Sequence, residues 1–329
     1  MSFKRLDPED FLVSVDSITA TAWSTNSPTL TTFFTSSTTS TNDSYYKNVY
    51  QTASTLSNAA VQFAIAYGNQ SGSGSANFND SVPGVSPTRT VYGQYRNLIY
   101  GSETAQFIFG TVTASDFWAI SVDRARYKEH LLKGTFNLQI KNGSSTIRLT
   151  DNSGMVSTDT YLDCGRVYQI ISGSNGVAHT GTGYSPSSGS YGLFLPDIAT
   201  IILNPLALSQ SINLEPSRSS DSDGLNIGRL FTAVSGAASF QANSEESVTS
   251  DYVFVRARNS EFNYSENPSF ISGSTGDVIY STFINSPQTY VTTVGFYNDT
   301  NELLAVAKLS KPLTKDFTKE ALVRVKLDF

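Results

Sequence analysis

The stretch Tyr290–Ser310, YVTTVGFYNDTNELLAVAKLS, sets two alternating apolar runs on either side of the polar cluster Asn298-Asp299-Thr300-Asn301-Glu302. Period-two alternation around about five turn-forming residues is the pattern of an antiparallel β-hairpin. Its neighbours continue the pattern. In DYVFVRARNSEFNYS, Val253, Val255 and Ala257 oppose Tyr252, Phe254, Arg256 and Arg258; in ALVRVKLDF, Val323, Val325, Leu327 and Phe329 oppose Arg324, Lys326 and Asp328. Each reads as a strand with one buried face. The hairpin and the terminal strand are expected to share one antiparallel sheet, with a Val/Leu/Phe face filling the core and Phe329 buried. The turn Asn298, Asp299, Thr300, Asn301, Glu302 is then the candidate interaction site, projecting toward a neighbouring subunit.

From Val91 onward, VYGQYRNLIY, AQFIFGTV, FWAISVD, GTFNLQIKNG, TIRLTDNSG and RVYQIISG follow one another between turn residues. Short runs at this spacing predict a β-sandwich or barrel. TASTLSNAAVQFAIAYG (Thr52–Gly68) supports a helix by its alanines and a strand by the alternation of Val61, Phe63 and Ile65. Asp7-Pro8-Glu9-Asp10 predicts a helix start of one or two turns. The Ser/Thr tract Ser24–Ser44 has few apolar anchors, so an extended arm laid on a neighbouring chain or another domain is expected. The predicted class is all-β, antiparallel and sandwich or barrel-like, with few short helices. The expected division is 1–55 for the short helix and arm, 56–245 for a main β-domain and 246–329 for a C-terminal antiparallel region.

A chain of 329 residues is long enough for one large β-domain or two ordinary ones. Charged residues are 15% of it and the net charge is −6, so the concentrated basic surface that phosphate binding needs is missing and no nucleic-acid partner is expected. The one cysteine, Cys164, excludes an internal disulfide and is read as a buried small hydrophobe. Asp7, Glu9 and Asp10 interrupt any apolar signal core at the N-terminus. LFLPDIATIIL (Leu193–Leu203), broken by Pro196 and Asp197, is too short to span a bilayer, so no membrane partner is expected.

No catalytic motif emerges. With His130 and His179 as the only histidines, a three-histidine metal site is impossible, and neither is expected to be catalytic. RARYKEHLLK (Arg124–Lys133), with Glu129 interleaved, reads as solvated or salt-bridged. GSTGDVIY lacks the Gly-Lys-Ser/Thr of a phosphate loop. DSDG (Asp221–Gly224) begins like a calcium loop but lacks the later ligands, so a solvated Asx-turn is expected. No catalytic, cofactor-binding or metal-binding residue is assigned.

TYVTTVGFYNDTNELLAVAKLSKPL resembles a hairpin found in contractile-tail bacteriophage proteins, including attachment domains of tail fibres, through Val294, Gly295, Phe296, Tyr297, Leu303, Leu304, Ala305 and Val306. RLDPEDFLVSVDSITATAWS, TVYGQYRNLIYG, SVDRARYKEHLLKGTFNLQI and LTKDFTKEALVRVKLDF together resemble an uncharacterised virion structural protein of large myoviruses, such as those infecting cyanobacteria. The resemblance implies a non-enzymatic structural component of the virion, assembled in the host cytoplasm and held by contacts with other virion proteins in multiple symmetric copies. No fibrous shaft follows the hairpin here, which implies a baseplate, fibre-anchoring or neck component rather than a fibre. A carbohydrate- or receptor-binding module and a polysaccharide-degrading enzyme are the two other classes that the composition allows.

Overall fold

The structure is a computed structural model and describes residues 3–35, 46–74, 86–219 and 222–328. It is mostly β, with antiparallel sheets and few short helices, in agreement with the all-β class. The chain forms two compact units: Ile18–Glu246, and Met1–Ser17 together with Ser247–Phe329.

Ile18–Glu246 is built on a large curled sheet whose central strands are Gly165–Ser174, Gly192–Leu195, Thr200–Leu203, Asp116–Val122 and Val61–Asn69, in that spatial order. Every residue of Gly192–Leu195 and Thr200–Leu203 is buried. These runs read as continuous apolar text because both faces of the sheet are covered. Trp118, Ile120, Phe194, Ile201 and Leu203 face one cluster, with Leu208, Ile212, Leu230 and Val234 from two helices, Pro205–Ile212 and Asn226–Ala237. Phe117, Ala119, Leu193 and Ile202 face the other, with Phe107 and Phe109. Neighbouring residues of one strand thus enter different cores, as a period of two requires. Asn137–Asn142 and Ser145–Asp151 form a hairpin closed across Asn142 and Ser145, where Gly143 has φ 60°, a conformation suited to glycine. Thr52–Gly68 resolves as the strand Val61–Asn69.

Two expectations fail in this unit. VYGQYRNLIY is not a strand but part of the helix Thr88–Tyr100. Val91, Tyr92, Tyr95 and Ile99 recur at helical spacing and turn one face to the second cluster, while Leu98 is exposed. Gly101, left-handed at φ 58°, ends the helix with its N–H bonded to the Asn97 carbonyl. The Ser/Thr tract is extended in part over its described length, as expected, but it pairs within its own unit and not on another domain. Leu30 and Trp23 are buried in the first cluster, Thr29–Leu30 pairs with Phe240–Gln241, and Phe34–Thr35 pairs with Lys47–Tyr50. One deeply buried leucine and a partner strand anchor it, which composition alone does not show. Residues 36–45, the rest of that tract included, lie outside the described residues.

In the other unit, Pro8–Asp10 forms a single short turn in which the Asp10 carboxylate accepts the Asp7 N–H at 3.0 Å. The strand Phe11–Thr21 follows; the unit's sheet runs Phe11–Thr21, Asn243–Ala257, Ala321–Asp328, and the last two pair with Val253 opposite Val325 and Val255 opposite Val323. Ala321 and Val325 are buried while Leu322, Arg324 and Lys326 are exposed, the alternation expected of the terminal strand. Phe329 lies outside the described residues.

The hairpin forms where expected, from Gln288–Tyr297 and Leu303–Asp316, but it does not join the terminal strand in one sheet. It is a separate two-stranded ribbon. Its Val/Leu/Phe face fills no core either: Thr289 and Lys315 are its buried residues, while Leu303, Leu304 and Val306 are exposed. Alternation specifies that two sets of side chains diverge; it does not specify that another layer covers one of them.

Candidate interaction surface

The turn Asn298–Glu302 is built by one side chain. Asn298 Oδ1 accepts the N–H of Thr300 at 3.0 Å, the Thr300 hydroxyl at 2.7 Å and the N–H of Glu302 at 2.8 Å. The Asn298 side-chain amide donates to Glu302 Oε2 at 2.8 Å, and its backbone N–H donates to the Glu302 carbonyl at 3.1 Å. Asn301 takes the left-handed conformation, φ 62°, which asparagine tolerates better than most residues. All five candidate residues therefore come together in one exposed tip, with Asp299 and Glu302 supplying its charge.

Below the tip the ribbon is apolar in solvent. Leu304 is 67% exposed, with Leu303, Val306 and Tyr290 also more than half exposed. A bulge separates the Val291–Leu313 pair from the Thr293–Lys308 pair, so Lys311 and Pro312 lie in a stretch without a register partner while Lys308 ends the paired run. The base is anchored by Lys315, whose buried ammonium donates to the Asn259 carbonyl at 3.0 Å, Asn263 Oδ1 at 2.8 Å and the Asp316 carbonyl at 2.8 Å. At the other end, Phe3 meets Tyr297 edge to face with ring centroids 5.2 Å apart, and Lys4 bonds Glu261 at 3.0 Å.

The strand Phe11–Thr21, which sequence reading did not single out, is a second strand with exposed apolar side chains. Phe11, Leu12, Val13 and Val15 are each at least half exposed, and Asp16 and Glu9 stand exposed beside them. Apolar residues at both odd and even positions were the available signal, since a strand apolar on both faces needs cover on both.

Several chemistry-bearing residues of Ile18–Glu246 are paired with one another. His130 is buried with Nε2 3.0 Å from Glu245 Oε2, whereas His179 is exposed in a loop. Lys133 bonds Asp159 at 2.8 Å, so part of Arg124–Lys133 is salt-bridged as read. That pairing raises the Lys133 pKa and lowers that of Asp159; burial and the Asp159 carboxylate push the Tyr168 hydroxyl up to about 12. Burial tends to raise Asp197, but the Arg166 guanidinium, 2.5 Å away, holds the carboxyl below its ordinary value. Asp116 accepts the Tyr67 hydroxyl at 2.8 Å and Arg218 Nε at 2.9 Å, and burial followed by the Asp116 charge raises the tyrosine. Cys164 is half-buried rather than buried, and burial raises its thiol. The expected solvated turn at Asp221–Gly224 is corrected at Asp223, which is buried and accepts the hydroxyls of Ser86 and Thr88. Asp221 lies outside the described residues. Among the described residues, no group of three or more His, Cys, Asp or Glu is placed to hold a metal ion, and no helix is long and apolar enough to cross a membrane. Comparison with family models, with curated proteins and with solved structures returned no match.

Proposed function

We propose that the chain is a structural component of a contractile-tailed phage virion, in the baseplate, fibre-anchoring or neck region, and that it acts through protein–protein assembly contacts and not by catalysis. The observation that carries this reading is that Phe11–Thr21 and Leu303–Asp316 keep rows of apolar side chains in solvent in a chain whose larger unit covers its central strands on both faces. Strands already ordered on folding lose less freedom on association than a flexible loop does. The hairpin and the other stretches that resemble myovirus structural proteins supply the setting, and the partners are other virion proteins in multiple copies.

The test is mass spectrometry of purified particles together with antibody-labelled electron microscopy. The expected result is the chain in stoichiometric, multiple copies at one place on the tail. Purified infectious particles without it would overturn the reading, as would normal tails on particles grown without its gene. A glycan-cleaving activity of the purified chain, lost on a point substitution that leaves the fold intact, would favour the enzyme class instead.

A further inference from the structure

The ribbon Gln288–Tyr297 and Leu303–Asp316 has two strands and an edge on each side that pairs with no other described strand. A lone two-stranded ribbon is marginal in water, and a third strand or a covering layer is what makes one stable. Phe11–Thr21 is likewise an outer strand of its sheet order. Ala321–Asp328 is the other outer strand of that order, so among the described strands there are four outer edges, each a row of backbone donors and acceptors that no described strand takes up.

Lysines and a proline on an edge ordinarily discourage indiscriminate pairing, and Lys308, Lys311 and Pro312 fit that description. Exposed Leu303, Leu304 and Val306 do not, because they reward any strand that arrives. The edges of Phe11–Thr21 and of Leu303–Asp316 match in chemistry. Phe11–Thr21 and its approach carry exposed Asp7, Glu9 and Asp16 against one exposed Arg5, while the strand Leu303–Asp316 carries exposed Lys308 and Lys311 beyond the acidic tip of Asp299 and Glu302. Each edge also presents apolar side chains two residues apart: Val13 and Val15 on the acidic edge, Leu304 and Val306 on the basic one. An acidic edge meeting a basic edge gains attraction, whereas either edge meeting its own kind brings like charges together.

We propose that the occupant of the ribbon's edge is a second copy of this chain, whose strand Phe11–Thr21 adds alongside Leu303–Lys308. This inference rests on the assembly reading above and deepens it by naming the partner. Pairing ends before Pro312, which has no N–H to give. Because the donated strand and the accepting edge are different surfaces, the contact is head to tail. Successive copies close into a ring or run on as a helix. Backbone bonds supply the pairing, as in β-strand addition to other sheet edges, and the charges set which edge is chosen.

The experiment uses the full chain in sedimentation-velocity runs over a concentration series. Three samples are compared: the natural sequence, Glu9→Lys with Asp16→Lys, and Lys308→Glu with Lys311→Glu. All four positions are exposed, and melting curves check that folding is kept. The expected result is self-association of the natural chain, at least tenfold weaker association of either variant alone, and recovery when the two variants are mixed. Rising ionic strength should weaken the natural assembly. A natural chain that is monomeric throughout, variants that associate like it, or a mixture that fails to recover would each overturn the inference. A chain that is monomeric in solution and yet present in purified particles would overturn this inference alone and leave the assembly reading standing.

Discussion

The two units use the same secondary structure to different ends. In Ile18–Glu246, central strands are covered on both faces and neighbouring residues such as Phe117 and Trp118 enter separate cores. In the other unit, Val253, Phe270, Ala321 and Val325 are the buried apolar side chains among the described residues, while Leu303, Leu304, Val306, Phe11 and Val13 remain in water. The strand Asn243–Ala257 continues from one to the other, so strand propensity does not separate them. Coverage does. A β-strand reaches its full hydrophobic stabilisation only when another layer lies over it, at about 25 cal/mol per Å² of apolar surface removed from water.

The largest test of this contrast is Trp118→Ala. Trp118 is fully buried and donates its indole N–H to the Asn226 carbonyl at 2.8 Å. The expected cost is about 3–5 kcal/mol, read as a fall in the melting temperature on the order of 10 °C. A shift of a degree or two would mean that the two-sided core is not what holds this unit together.

Next in size is Lys315→Met, which keeps the stem and removes the ammonium. Three oxygens lose their donor, and the expected loss is about 1–2 kcal/mol, confined to the smaller unit. Hydrogen exchange should rise at Arg258–Asn263 and at the base of the ribbon. Unchanged protection there would show that Lys315 does not anchor the hairpin.

A pH titration sharpens the picture of the packed unit. Asp197 is held below its ordinary value in the fold, so its stabilising contribution is present above the unfolded carboxylate pKa of about 4 and is lost as pH falls through the lower, folded value. Asp197→Asn should therefore melt below the natural chain at neutral pH, with the gap closing in acid. A gap that stays constant between pH 7 and 3 would show that the Arg166 pair is not its cause.

The smallest effect on folding is expected from Leu304→Ser with Val306→Ser. Both side chains are more than half exposed, so stability should move by less than about 0.5 kcal/mol in the isolated chain. Incorporation into particles should fall instead. If the variant melts well below the natural chain, the ribbon has a folded-state partner and the contrast between the two units collapses.

Much of the fold was legible because alternation is a local property. Val323, Val325 and Leu327 could be assigned to one face, and the hairpin placed around Asn298–Glu302, from spacing alone. The helix Thr88–Tyr100 was misread because Val91 and Tyr95 fit a period of two as well as one of 3.6, and Tyr92 and Ile99 decide only once the second cluster is seen. The Ser/Thr tract was misread because one residue, Leu30, outweighs its polar neighbours when a core is there to receive it. The exposed turn Asn298–Glu302 was legible from its residues, whereas the exposure of Phe11–Thr21 was not, because no turn motif marks that strand.

By itself, then, the sequence determined the class, the hairpin, the alternating terminal strand and the net charge, because each depends on residues near one another or on their totals. Only the tertiary structure decided which apolar faces are covered. It buried Asp223 beneath two hydroxyls, sealed His130 against Glu245, and left Leu304 and Val15 in water. Burial is a relation between segments far apart in the chain, and the same alternating text serves a core strand or a strand in solvent according to what lies above it.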